Sequence, residues 1–231
     1  MDQLLYGFDT ALYSFFWKFQ NPMTIGLAEI CQRMGDKTAY IICLVVALIL
    51  CVPKVTRKYG VAMVVGFLVA YLVVNVIIKP GVGRPRPYVT LQQTSFWETY
   101  ESHWKNAGSP LEDDDSFPSG HTSLNFTIFT ALTALLLKEK KKWAWLLMII
   151  PFVVGFTRII RCVHYPSDVV GGMIFGIAAG LIGYLVATKL FPPQQQAINS
   201  NSNPNSKSNP DKDGSNQRNA EKAPVRDGRP S

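Results

Sequence analysis

Charge is scarce in this chain: Asp, Glu, Lys and Arg make up 17% of its 231 residues, against about 25% in an ordinary soluble domain. Histidine is scarcer still, at three residues. The four cysteines, Cys31, Cys43, Cys51 and Cys162, have neither metal-ligand spacing nor the pattern of a disulfide framework. A zinc-finger-like module and a disulfide-stapled secreted domain are thereby excluded, and the thiols read as small apolar side chains. Met1-Asp2-Gln3 brings no basic stretch ahead of an apolar one, so a cleaved signal peptide is not expected.

What the chain has instead is long apolar runs. Crossing a hydrocarbon layer of roughly 30 Å takes about 20 helical residues. Runs of that character occupy residues 40–52 (extended toward Lys37), 60–78, 123–137, 143–160 and 169–190. In lipid each must be helical, because only a helix satisfies its own backbone groups. Residues 22–34 add another crossing if they span, and the aromatic-rich residues 4–19 suit the interface. The expected fold is an all-α polytopic membrane bundle of about six transmembrane helices, over residues 1–191. Residues 192–231 are rich in Asn, Ser, Pro, Gln, Asp and Lys and nearly free of large apolar side chains. Such a segment cannot bury enough surface to order itself and is expected to be a disordered tail.

Orientation follows from the basic residues. Lys54, Arg57 and Lys58 form one cluster, Lys138 and Lys140 to Lys142 a second, and more follow Lys189. Positive loops face the cytoplasm. The C-terminal tail is then cytoplasmic, and residues 79–120 and 161–167 share the extracytoplasmic face of a plasma or inner membrane.

Three segments on that face hold unusual polar residues. Lys79-Pro80-Gly81-Val82-Gly83-Arg84-Pro85-Arg86-Pro87 ends a helix in basic side chains held by Pro and Gly turns. By itself it also fits a basic turn pairing with anionic headgroups. Phe117-Pro118-Ser119-Gly120-His121 precedes an apolar helix, where free N–H groups and the helix dipole favour an anion, although simple N-capping fits as well. Thr157-Arg158 to Arg161, His164 and Asp168 stand at the hinge between the last two runs. A guanidinium at membrane depth needs a polar cavity, a partner, or a path by which it snorkels to the interface.

Two of the three histidines fall within these segments. One neutral imidazole can attack phosphorus while a second, protonated one gives its proton to the departing oxygen. Asp168, four residues after His164, can turn back to accept from the ring and fix its tautomer. Lys79, Arg86 and Arg158, with the Ser119 hydroxyl and the Gly120 N–H, would cradle the phosphoryl oxygens without a metal. The acidic run Glu112-Asp113-Asp114-Asp115 is weak support for a divalent cation. The aromatics of residues 88–117 suit an interfacial belt better than a lid.

Lys79 to Arg86-Pro87, Pro118-Ser119-Gly120-His121, and Thr157-Arg158 to His164 to Asp168 resemble the signature K-x6-R-P, P-S-G-H, S/T-R-x5-H-x3-D of the type 2 phosphatidic acid phosphatase superfamily. The third part opens on Thr instead of the commoner Ser and keeps a hydroxyl. The resemblance implies that His164 is a nucleophile forming a phosphohistidine, that His121 is the acid for the leaving group and that Asp168 supports His164. It assigns phosphate to Lys79, Arg86, Ser119, Gly120 and Arg158, and leaves Arg84 and Arg161 outside the motif. The implied activity is hydrolysis of a membrane lipid phosphate or diphosphate, with no cofactor or metal. Undecaprenyl diphosphate is the preferred substrate, beside phosphatidylglycerophosphate and phosphatidic acid. Transfer of the phosphate to another lipid and non-catalytic lipid binding are the competing readings. The expected partners are the lipid substrate and the bilayer, not nucleic acid.

Overall fold

The computed structural model describes residues 2–192, with side chains from residue 5. The expected disordered tail therefore lies, past its first residue, outside the described residues. Every regular element among the described residues is helical, in keeping with an all-α membrane fold. In chain order, α1 (Asp2–Phe16), α2 (Pro22–Gln32) and α3 (Lys37–Cys51) come first. Next, α4 (Arg57–Ala70) runs on as a π-helix (Tyr71–Ile78) into the short α5 (Lys79–Val82), followed by α6 (Pro87–Thr90) and α7 (Trp97–Asn106). The last three are α8 (Gly120–Lys138), α9 (Ile149–Ile160) and α10 (Pro166–Leu190).

Four helical runs, beginning at Arg57, Gly120, Lys142 and Pro166, are long and apolar enough to cross a membrane. α2 and α3 meet that standard only together, as a pair bent by 56°. The Gln20 amide donates to the Ile160 carbonyl at 2.8 Å, and the Arg158 guanidinium donates to the Gln32 side chain. Both ends of α2 are thus tied to the last turn of α9. With both ends at one level, α2 lies along that end of the bundle. The described residues supply up to five crossings, against the six or so expected.

The bundle core is built on small residues, which let helix backbones approach closely where lipid offers no hydrophobic drive to associate. Gly172, Gly176 and Gly180 turn one stripe of α10 onto α8; a Cβ at Gly176 would stand 2.5 Å from the Ser123 carbonyl oxygen. Gly183 meets α4 as tightly, at 2.2 Å from the Ala62 oxygen. Gly172 brings the start of α10 against the start of α8, where the Ser119 N–H donates to the Asp168 carbonyl at 3.0 Å.

The aromatics of residues 88–117 are not a lipid-facing belt. Tyr88 and Tyr100 join Tyr13 and Trp17 of the N-terminal segment, with Cys162 and Tyr165, in a buried cluster that caps one end of the bundle. At the other end Lys58 pairs with Glu139, and the Tyr59 hydroxyl donates to the same carboxylate at 2.6 Å. The two basic turns therefore share the face opposite the cap.

Candidate active site

His164 sits in the turn between α9 and α10, and is 1% exposed. Cys162 enters that turn at φ +57°. Its neighbours are held by the cap: the Tyr13 hydroxyl donates to the His164 carbonyl at 2.6 Å, and Arg86 donates to the Val163 carbonyl at 2.8 Å. The ring is fixed at both nitrogens. Nδ1 lies 2.9 Å from the Ser116 carbonyl oxygen, which can only accept, so Nδ1 carries the proton. Nε2 is left with its lone pair and takes a hydrogen bond from Arg86 Nη1 at 3.1 Å. Burial, followed by the nearby charges of Arg86, Arg158 and Lys79, holds the His164 pKa well below its ordinary value. The imidazole is neutral at neutral pH, the state a nucleophile needs.

Asp168 does not accept directly from that ring, since Nδ1 and Oδ2 are 3.6 Å apart. Its carboxylate takes the Tyr165 N–H at 2.9 Å, the Ser116 hydroxyl, and Arg84 Nη1 at 2.6 Å. Ser116 therefore stands between the two, its hydroxyl on Asp168 and its carbonyl on His164. Arg84, outside the motif, is a structural centre. It also pairs with Asp9 at 2.8 Å, donates to Ser167 at 2.7 Å and lies over the Tyr165 ring, 3.8 Å from its centroid. Asp9 in turn accepts the Ser167 N–H at 2.7 Å. Neither Asp9, Tyr13 nor Ser116 stood out in the sequence; the one available signal was an acidic residue in the middle of an aromatic-rich N-terminal helix.

His121 opens α8 and faces the same cavity. Its Nε2 donates to the Gln32 carbonyl at 2.9 Å and stands 3.6 Å from Asp36 Oδ1. Gly35 makes room for it, because a Cβ there would come within 2.2 Å of the imidazole.

The cavity measures about 710 Å³, and Lys79, Arg86, Gly120, His121 and His164 all line it. Arg158, Asp168 and Ser119 stand behind that lining. The Ser119 hydroxyl accepts from Thr122 at 3.0 Å and is not part of the cavity lining. The cations meet acids from the run noted in the sequence. Asp114 pairs with both Lys79 and Arg86, and its backbone carbonyl takes Arg86 Nε at 2.9 Å. Glu112 pairs with Arg158 at 2.6 Å. Burial raises the Asp114 pKa, but Lys79 and Arg86 outweigh it and hold the carboxyl below its usual range. Among the described residues no three His, Cys, Asp or Glu side chains are grouped to hold a metal ion. Of the acids of residues 112–115, Glu112 and Asp114 are partners of the site's cations.

Residues 59–192 match the family model described as the PAP2 superfamily. The chain belongs to this superfamily. The three segments that carry the resemblance to type 2 phosphatidic acid phosphatases fall within the match. An undecaprenyl-diphosphatase of Sulfolobus acidocaldarius is 31% identical over 171 residues, 74% of each chain. The undecaprenyl-diphosphatase BcrC of Bacillus subtilis is 32% identical over 124 residues, 54% of this chain and 56% of that one. Among solved structures, a transmembrane PAP2 type phosphatidylglycerolphosphate phosphatase from Bacillus subtilis has the same fold. Its TM-score is 0.64 at 19% identity, covering 84% of this chain and 90% of that one. The protein is a multi-span PAP2 phosphatase of membrane lipids.

Proposed function

We propose that this PAP2 phosphatase removes the terminal phosphate of a polyprenyl diphosphate, undecaprenyl diphosphate before other lipids, through a phosphohistidine at His164. The observation that carries the reading is the state of His164: a buried neutral ring, its proton held on Nδ1 by Ser116, its Nε2 directed to the cation-lined cavity. The names of relatives in two genera favour a diphosphate over a phosphomonoester.

In this reading the phosphoryl group takes the place of the Asp114 and Glu112 carboxylates on Lys79, Arg86 and Arg158. Nε2 attacks the terminal phosphorus, the bond to the bridging oxygen breaks, and His121 gives that oxygen its proton. The lipid monophosphate leaves. Water, deprotonated by His121, then attacks the phosphohistidine and frees inorganic phosphate and His164. Three fixed cations meet the charge that develops on the phosphoryl oxygens, so the reaction requires no metal. Lys58 and Glu139 tie the two basic turns together at the end away from the site, which supports an extracytoplasmic active site in the plasma or inner membrane and a cytoplasmic C-terminus.

Phosphate release from undecaprenyl diphosphate in detergent tests the reading. His164→Ala should fall to background and His121→Ala about 10²- to 10⁴-fold, with EDTA without effect. Labelled terminal phosphate should appear as free phosphate and, transiently, as an acid-labile label on wild type but not on His164→Ala. Near-normal release by a folded His164→Ala would refute the role, and label passing to a second lipid would make the enzyme a phosphotransferase.

A further inference from the structure

We infer that Tyr40 and Asn75 form the subsite for the second phosphoryl group of a lipid diphosphate, and so set the preference for diphosphates over monophosphates. The inference rests on the hydrolytic reading above and deepens it.

The cavity is lined by Lys79, Arg86 and His164 and by two helices, α3 with Tyr40 and Ile41 and the π-helix with Tyr71 and Asn75, the last standing one turn before Lys79. A proton donor must lie within hydrogen-bond reach of the oxygen it protonates, so the leaving group is on the side of His121. Tyr40 and Asn75 converge there. The Tyr40 hydroxyl donates to the carbonyl of Gly120, the residue before His121, at 3.2 Å. The Asn75 amide neighbours that hydroxyl, and its Oδ1 comes within 3.7 Å of where a Cβ on Gly120 would stand.

Neither residue is explained by packing into lipid. Asn75 is the one amide in the π-helical sequence YLVVNVII, and polar side chains in apolar spans face a cavity or a partner. The π-helical turn is itself a feature that recurs at functional sites. Tyr71, Asn75 and Lys79 follow at intervals of four and all line the cavity, so one stripe runs from the lipid-facing Tyr71, 47% exposed, to the buried Lys79. On the facing helix Ile41 is 64% exposed. A lipid whose terminal phosphorus is at His164 would therefore place its next group between Tyr40 and Asn75 and lead its apolar chain out between α3 and the π-helix. In a diphosphate that next group is a second phosphorus, whose oxygens can accept from the Asn75 amide, from Lys37 in the first turn of α3, and from the Tyr40 hydroxyl once it turns from the Gly120 carbonyl. In a monophosphate ester it is a carbon. Asp36, which also lines the cavity, is engaged by Gln32 at 3.0 Å.

The test compares a prenyl diphosphate with the prenyl monophosphate of equal chain length in one detergent, for wild type, Tyr40→Phe, Asn75→Leu and Asn75→Gln. Tyr40→Phe removes only an oxygen, and the monophosphate rate reports any disturbance of His121 through the lost bond to the Gly120 carbonyl. The diphosphate-to-monophosphate ratio of kcat/KM should fall about tenfold or more in Tyr40→Phe and in Asn75→Leu, the scale of one hydrogen bond to a charged group, with partial recovery in Asn75→Gln. An active wild type whose ratio is unchanged in both variants, or whose two rates fall in parallel, would overturn the subsite. A wild type that frees phosphate from neither lipid would instead refute the hydrolytic reading, and the inference with it.

Discussion

The Ser116 carbonyl holds the Nδ1 proton of His164 at 2.9 Å, and the hydroxyl of the same serine donates to Asp168. One residue thus joins the carboxylate to the ring, where the motif by itself suggests direct contact.

Asp168→Asn and Ser116→Ala should therefore differ. Asn at 168 loses the charge that meets Arg84 and weakens every donor that fixes the turn, so kcat should fall about 10²-fold or more, as when a misplaced ring costs orientation. Ala at 116 keeps the carbonyl on Nδ1 and should cost less than about tenfold. Steady-state kinetics on folded protein decides the order; a larger loss in Ser116→Ala would show that the hydroxyl, not the carboxylate network, positions His164.

The pH profile should carry the mark of a neutral buried histidine. Because the folded-state pKa of His164 lies well below 6.5, the acidic limb of kcat/KM should fall below pH 6.5. The same shift has a stability consequence. Below pH 6.5 the unfolded chain binds a proton at this residue that the folded one does not, so stability declines as pH drops from about 6.5 toward the folded-state pKa. Thermal midpoints in detergent should show this decline in wild type and a shallower one in His164→Asn. Equal slopes would mean that His164 does not carry the linkage.

Asp114 and Glu112 pair with Lys79, Arg86 and Arg158, the cations proposed to bind phosphate. If they compete, Asp114→Asn and Glu112→Gln should each lower the inhibition constant for inorganic phosphate or vanadate severalfold, and the double variant about tenfold or more. Released guanidinium and ammonium groups lose a partner worth roughly 1.5–3 kcal/mol per charged hydrogen bond, and an incoming oxyanion recovers it. A rise in the constant would show instead that the carboxylates hold Lys79, Arg86 and Arg158 in place.

Much of the architecture is legible in the sequence. The apolar runs from residues 60, 123, 143 and 169 became the helices that cross, because a run of about 20 apolar residues has one stable state in lipid. α2 was less legible, since an eleven-residue, mostly apolar helix fits a short span and a helix along the face equally well. The glycine stripe of α10 carries a readable four-residue spacing, but its partner helix is not written in it. The aromatic residues 88–117 suit a belt by composition and became a core by packing against α1.

The sequence by itself determined which groups are candidates for the chemistry and that they share one end of the bundle: Lys79, Arg86, His121, Arg158, His164 and Asp168 follow from motif spacing and from counting crossings. Only the tertiary structure decided their partners. Asp9 meets Ser167 across 158 residues, Arg84 meets Asp168 across 84, and Gln32 meets Arg158 across 126. Hydrophobic burial has a period along the chain and can be read from it. Ion pairs and hydrogen bonds between distant segments have none, because they depend on where helix ends arrive once the small residues of α10 have drawn the bundle together.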